Sequence, residues 1–224
     1  MRPLKSEAQD TNTLQELGRA SAQIVHDLKN QLNGLKLYAT FLRKRMEKSE
    51  RPADERETID KLITGLERAA ADLTALVRYG RPVELRRQPG IDLFKILTEV
   101  TTGEGFEGVN LKPKTGPLEG EFDAAAITEA LKAITAGALN MRRAGDRPAL
   151  EIRLRRDVDG GAPWAVIEWH GIQSTVDQDP FHSFAGSDAL RMSLAAKIIE
   201  AHGGEVGQGP GTLSVRLPLK VVDG

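Results

Sequence analysis

Between Thr13 and Ser49 apolar residues recur in alternating steps of three and four: Leu14, Leu17, Ile24, Leu28, Leu35, Tyr38 and Leu42. Ser21 and Gln31 occupy the two polar places in the same series. This is a coiled-coil-like seam on one long helix, about 50 Å long at the α-helical rise per residue. After Pro52 the spacing repeats as Ile59, Leu62, Leu66, Ala69, Leu73 and Leu76, and stops at Gly80 and Pro82. The pattern predicts a helical hairpin over 13–82, preceded by a disordered N-terminus over 1–12. A hairpin with one apolar seam per helix is half-satisfied, and two of them close an antiparallel, dimeric four-helix bundle. The alternative is an antiparallel pair packed on the rest of its own chain. The length of the first helix favours the bundle.

The pattern changes after a polar linker at 83–90. Over 91–224 helical and alternating stretches follow one another. Asp92 is placed to cap a helix starting at Leu93, and Asp123 to cap a long helix running to Arg143. Val109–Lys114 reads as a strand. Leu150–Val158 and Trp164–Trp169 alternate as antiparallel neighbours. A polar loop spans 170–186, a helix spans Leu190–His202, and a last strand spans Thr212–Leu219. The mix predicts an α/β sandwich with helices on one face, giving an α + α/β chain.

Composition narrows the chemistry. The 224 residues carry 31 Lys+Arg against 32 Asp+Glu, a net charge of −1. No charge excess points to nucleic acid or a membrane surface. There is no cysteine, which removes disulfides, thiol catalysis and Cys-based zinc sites. The first residues hold no apolar run of the kind a signal peptide needs, and no stretch of about 18 apolar residues suggests a membrane span. The expectation is a cytoplasmic protein that neither binds nucleic acid nor inserts in a membrane.

With Ile24 at heptad position d and Leu28 at a, His26 falls at f, away from the seam. The other f positions, Arg19, Asn33, Thr40 and Glu47, are all polar. Asp27 adjoins His26, and Asn30 lies four residues on, on the same helical face. A neutral imidazole is a nucleophile near pH 7. A neighbouring carboxylate orients one ring nitrogen and leaves the other to attack. On spacing alone, His26 is one surface histidine among four.

The stretch Ser21–Leu32, reading SAQIVHDLKNQL, resembles the H-box of sensor histidine kinases, with Gln31 where Pro is common. The Ile199–Gly204 run (IEAHGG), then Gly211-Thr212 and Val215–Leu219, is similar to that family's ATP-binding domain, and Pro180–Phe184 looks like its F-box. The resemblance covers most of the chain. It implies that His26 is the phospho-acceptor, Asp27 its acid/base partner and Asn30 a phosphatase-type residue.

The sequence departs from the family at the nucleotide positions. Where the N-box carries Asn, Ala133 and Gly137 stand here, with Asn140 one turn away. Trp169 falls near the Asp that reads adenine, leaving only Gly171 of that motif. Ala189 and Arg191 replace the G-box glycines that let backbone amides approach phosphate. Losing the Asn removes a ligand on the Mg²⁺ side, and losing the Asp leaves the adenine amino group without its acceptor. The expectation is a degenerate ATP-binding domain with no confident cofactor.

These readings predict a histidine phosphotransferase. A homodimer is loaded at His26 by an upstream histidine kinase or phospho-receiver, and it passes the phosphoryl group to a response-regulator receiver domain that brings its own Mg²⁺. Lys29, Asn33 and the lower second helix would dock that receiver. The rivals are an ATP-dependent histidine kinase with a diverged pocket and a non-enzymatic dimeric regulator. His202 is expected at a helix C-terminus, where a cation is favoured. A two-His metal site at His170 and His182 lacks a well-spaced third ligand. Arg153, Arg155 and Arg156 read as a solvated strand face, and Arg43, Lys44, Arg45 and Lys48 as a solvated basic patch. Gly203 to Gly211 read as a hairpin turn.

Overall fold

A computed structural model describes residues 4–47, 53–112, 118–142, 149–173, 179–184 and 186–220. Inside α1 the side chains before Ile24, and those of His26 and Glu47, fall outside the described residues, as does that of Ala53 in α2. The chain divides into two compact units, Met1–Pro82 and Val83–Gly224.

The first unit is a helical hairpin of α1 (Leu4–Glu47) and α2 (Ala53–Tyr79). Helix α1 begins nine residues before the expected start. Nothing between Leu4 and Gly18 breaks a helix, and Lys5, Glu7, Ala8 and Gln9 are good helix formers, so residues 4–12 are helical rather than disordered. The two helices run antiparallel. Lys36 pairs with Glu67 at 2.7 Å and Arg43 with Asp60 at 3.5 Å, so advancing along α1 means retreating along α2. These exposed pairs contribute about 0–1 kcal/mol each and mark the register.

On α1 the covered residues are not those of the expected seam, whereas on α2 Ile59, Leu66, Ala69 and Leu73 of the expected seam are covered and Leu62 and Leu76 are exposed. The covered positions of α1 include Val25, Lys29, Leu32, Lys36, Ala39 and Arg43, each one residue on from a seam position, together with Gly34, Thr40 and Met46. On α2 they include Ile59, Ile63, Leu66, Ala70, Leu73 and Val77. The α1 seam itself stays exposed in the single chain, with Ile24 at 60%, Tyr38 at 68% and Leu42 at 52%. Leu14, Leu17 and Ser21 of that series lie outside the described side chains.

The second unit begins with β1 (Gln88–Asp92), so the last residues of the expected linker are strand. Next come α3 (Leu93–Thr102), β2 (Val109–Leu111), β3 (Glu119–Phe122), α4 (Ala124–Asn140), β4 (Leu150–Asp159), β5 (Ala162–His170), α5 (Ser187–Ala201), β6 (Glu205–Gly209) and β7 (Thr212–Pro218). Asp92 caps α3 through the Phe94 amide, and Asp123 caps α4 through the Ala126 amide, each at 3.0 Å. Strands β1 and β3 form a small antiparallel pair that the sequence pattern did not announce. The main sheet has the order β2-β4-β5-β7-β6, with β2 parallel to β4 and the other pairs antiparallel.

Period-two alternation sorts this sheet into two faces. Ile152, Trp169 and Leu213 stand in one cross-strand row, Leu154, Ile167 and Val215 in the next. All six are buried on the core face, with residues of α3, α4 and α5. Glu151, Arg153, Arg155 and Glu168 occupy the other face, where Arg153 pairs with Glu151 along β4 and Arg155 pairs with Glu168 across to β5. The three arginines of β4 are exposed, as a solvated strand face requires.

Candidate functional site

The candidate chemistry divides between the units. On α1, the helix carries His26, Asp27 and Asn30 within one turn. The His26 side chain falls outside the described residues. Asp27 and Asn30 are exposed, and Lys29, expected on the docking face, is half-buried on the side covered by α2. Thr40, another f position, is half-buried and bonds back to the Lys36 carbonyl at 2.8 Å.

In the sandwich, α4 and α5 frame the region where the nucleotide motifs fall. Trp169 is fully buried, and its indole N–H donates to Thr135 Oγ1 at 3.0 Å. Thr135 in turn donates to the Leu131 carbonyl at 2.7 Å. Both polar atoms are therefore satisfied inside an apolar core, which removes the penalty of burying them. The indole of β5 is thereby tied to α4.

Gly137 meets the facing helix directly. A Cβ built there would lie 2.2 Å from Met192 Sδ and 2.8 Å from its Cγ. Any side chain at this position would have to displace the Met192 thioether, which fills the groove beside Gly137. Met192 is 2% exposed and Phe181 is 1% exposed. Ala133 and Ala189 are half-buried, and Arg191 is exposed on α5. At the outer end, Asn140 Nδ2 donates to Asp188 Oδ2 at 2.8 Å, tying the end of α4 to the first turn of α5. Asp188 places a negative charge where a helix N-terminus would otherwise attract phosphate. The loop before α5 is held by Ser193 Oγ, which donates to the Ser183 carbonyl at 2.8 Å.

The other histidines do not converge. His170 Nε2 lies 3.4 Å from Glu168, and His182 Nδ1 lies 2.6 Å from Asp179. Accepting a hydrogen bond from the ring, the Asp179 carboxylate raises the His182 pKa above its ordinary value. Among the described residues no group of three His, Asp or Glu is arranged for a metal. His202 corrects an expectation. It ends α5, yet it is 1% exposed, and burial pushes its pKa down, so the cation is disfavoured there. The Gly203–Gly211 segment is a strand hairpin in which Gly203, at φ +79°, turns the chain out of α5.

Sequence reasoning located Trp169 and Gly137 but missed their partners Thr135 and Met192. A signal existed for Trp169. It follows Ala165 and Ile167 in the inward half of an alternating strand. No signal of that kind pairs Gly137 with Met192, because they lie on separate helices.

No protein-family model matches the chain, and no curated protein matches it by sequence. Among solved structures it is similar to full-length ShkA in complex with AMPPNP. The TM-score is 0.65 at 17% identity, over 91% of this chain and 46% of that one. It is also similar to the histidine kinase AdeS of Acinetobacter baumannii. There the TM-score is 0.56 at 16% identity, over 88% of this chain and 98% of that one. The chain spans less than half the length of ShkA. AdeS is a histidine kinase, so the fold is histidine-kinase-like, and the five-stranded sheet resembles a kinase ATPase domain. No helix among the described residues is long and apolar enough to cross a membrane.

Proposed function

We propose that this chain, with its histidine-kinase-like fold, is a dimeric histidine phosphotransferase of a two-component relay. The observation that carries the reading is the packing of α4 against β5 and α5. Trp169 is bonded to Thr135, and Met192 is seated on Gly137. The residues present do not fit a nucleotide with its Mg²⁺. The base-reading carboxylate is an indole, the metal-side Asn is absent, and the groove at Gly137 is full. The phosphoryl group therefore comes from another protein.

In this reading a free ring nitrogen of His26 attacks the phosphorus of an upstream phosphoprotein. A P–N bond forms as the donor's bond to phosphorus breaks. Asp27 holds the other ring nitrogen and so orients the ring. The carboxylate of a receiver aspartate then attacks the same phosphorus, a P–O bond forms, and the P–N bond breaks. Asn30 positions the phosphoryl group or an attacking water. The exposed seam supports the dimer. Ile24, Leu28, Leu35, Tyr38 and Leu42 form an apolar row that the single hairpin leaves uncovered, and a second hairpin of the same sequence covers it. An open groove along α2 between Arg56 and Arg68, lined by charges of both signs, supports receiver docking on the lower second helix.

The test is incubation with labelled ATP, alone and then with a phosphorylated receiver. We expect no self-labelling from ATP, transfer from the receiver, and loss of that transfer in His26→Ala. Self-labelling on His26 from ATP would overturn the reading. It would favour the second one, an ATP-dependent kinase, which draws support from the likeness to ShkA, solved with AMPPNP, and from exposed Arg191. Micromolar nucleotide binding that disappears in Arg191→Gln is the result that second reading requires.

A further inference from the structure

The corner where α4 starts and α5 ends is built around a histidine that the relay does not use. His202 is 1% exposed. Its Nδ1 lies 2.8 Å from the Ile198 carbonyl, and its Nε2 lies 3.0 Å from the Asp123 backbone nitrogen. A carbonyl only accepts and a backbone N–H only donates. Nδ1 therefore carries the proton and Nε2 presents its lone pair. The surroundings determine one neutral tautomer.

Asp123, held through its own backbone N–H by that ring, has a second task. Its carboxylate accepts the Ala126 amide at 3.0 Å, capping α4, and the Arg86 amide at 2.9 Å. Beside it, the Arg87 guanidinium donates to the Ala201 carbonyl at 2.6 Å, one residue before His202. The segment 83–87, which opens the sandwich unit, is thus fastened twice at this one corner.

We propose that the neutral His202 ring is the pin of an acid-released latch, holding Asp123 so that Arg86 and Arg87 stay fastened to the sandwich until the ring is protonated. A second ring proton points Nε2–H at the Asp123 N–H, so two donors face each other and the bond is lost. Asp123 then shifts, and its carboxylate loses the Arg86 amide. Release adds residues 85–87 to the tether between the units, roughly 10 Å of extended chain.

The groups that face the ring push both ways. From the α4 cap, the Asp123 carboxylate favours the charged ring. From the linker, Arg87 opposes it. From α5, the Ile198 carbonyl favours it. From β3, Phe122 brings an uncharged ring 5.9 Å away. Burial outweighs the favourable contacts, so the pin stays neutral at pH 7 and lets go below the ordinary imidazole range.

The test is a pH titration of the whole protein by NMR, following the His202 ring and the Asp123 and Arg86 amides. We expect both amides to shift with the same inflection as the ring, below pH 6.5. Hydrogen-exchange protection at Arg86, corrected for intrinsic rates, should fall at least about tenfold across it, the equivalent of ~1.4 kcal/mol. In His202→Gln the amide shifts should lose that inflection. In Arg87→Gln the inflection should remain, with lower protection on its neutral side. An Arg86 amide that ignores the ring's titration in the wild type overturns the latch, whether or not the variants fold. The readout involves no phosphoryl transfer, so its failure leaves the relay proposal standing.

Discussion

The indole of Trp169 and the hydroxyl of Thr135 meet at 3.0 Å with both residues fully buried. The bond joins β5 to α4 in the middle of the sandwich. Trp169→Phe removes the donor and part of the ring volume while Thr135 keeps the Leu131 carbonyl. The variant should be less stable by about 1–2 kcal/mol, read from urea unfolding at pH 7. An unchanged midpoint would show that the indole bond contributes nothing net.

Gly137 and Met192 offer a test of packing by double-mutant cycle. Gly137→Ala adds a methyl group into Met192 and should destabilise by about 1–3 kcal/mol, despite the better helix propensity of alanine. In a Met192→Ala background the same change should be neutral or stabilising, because the space is open. Additive effects would mean that the two side chains do not compete for one groove.

The exposed seam of α1 predicts the oligomeric state. Leu35→Asp combined with Leu42→Asp places two charges on a face that is 53% and 52% exposed in the single chain. The hairpin should keep its helicity, since neither residue faces α2. The mass measured by sedimentation should move from dimer to monomer. A dimer that survives both charges would place the contact elsewhere.

Stability should fall on the acid side because of His202. Its folded pKa is lowered, chiefly by burial. As pH falls through 6.5, the ordinary value, the unfolded chain takes up a proton before the folded one. The stability that the neutral ring contributes is complete above that pH and is lost progressively below it. Denaturant midpoints for wild type should drop between pH 7 and pH 5 relative to His202→Gln. Parallel curves would contradict a depressed pKa.

The proposed relay assigns two separable activities to one helix, and Asn30 tests them. Asn30→Ala should leave His26 able to receive and pass on a phosphoryl group, while slowing receiver dephosphorylation by about tenfold or more. The check is the decay of labelled receiver with each variant. Equal decay would remove the phosphatase role.

The parts legible in the chain were those where local rules and tertiary packing agree. The caps Asp92 and Asp123 were readable because a cap is formed within three residues. The inward rows of β4, β5 and β7 were readable because strand alternation maps directly onto the two faces of a sheet. The short β1–β3 pair was not readable, since QPGID and EGEF carry no apolar alternation and pair only because the chain brings them together.

The long helix that carries His26, Asp27 and Asn30, the hairpin, and the residue types at Ala133, Gly137, Trp169, Ala189 and Arg191 were all determined by the sequence itself, because residue identity and helical period are local properties. The tertiary structure decided three things that depend on neighbours distant in the chain. It set which edge of α1 meets α2, since a seam and the row beside it differ by only 100° around the helix. It filled the groove at Gly137 with Met192. It also turned His202 from a cation at a helix end into a neutral buried pin, because burial by β3, α4 and the linker outweighs the local attraction of the helix terminus for charge.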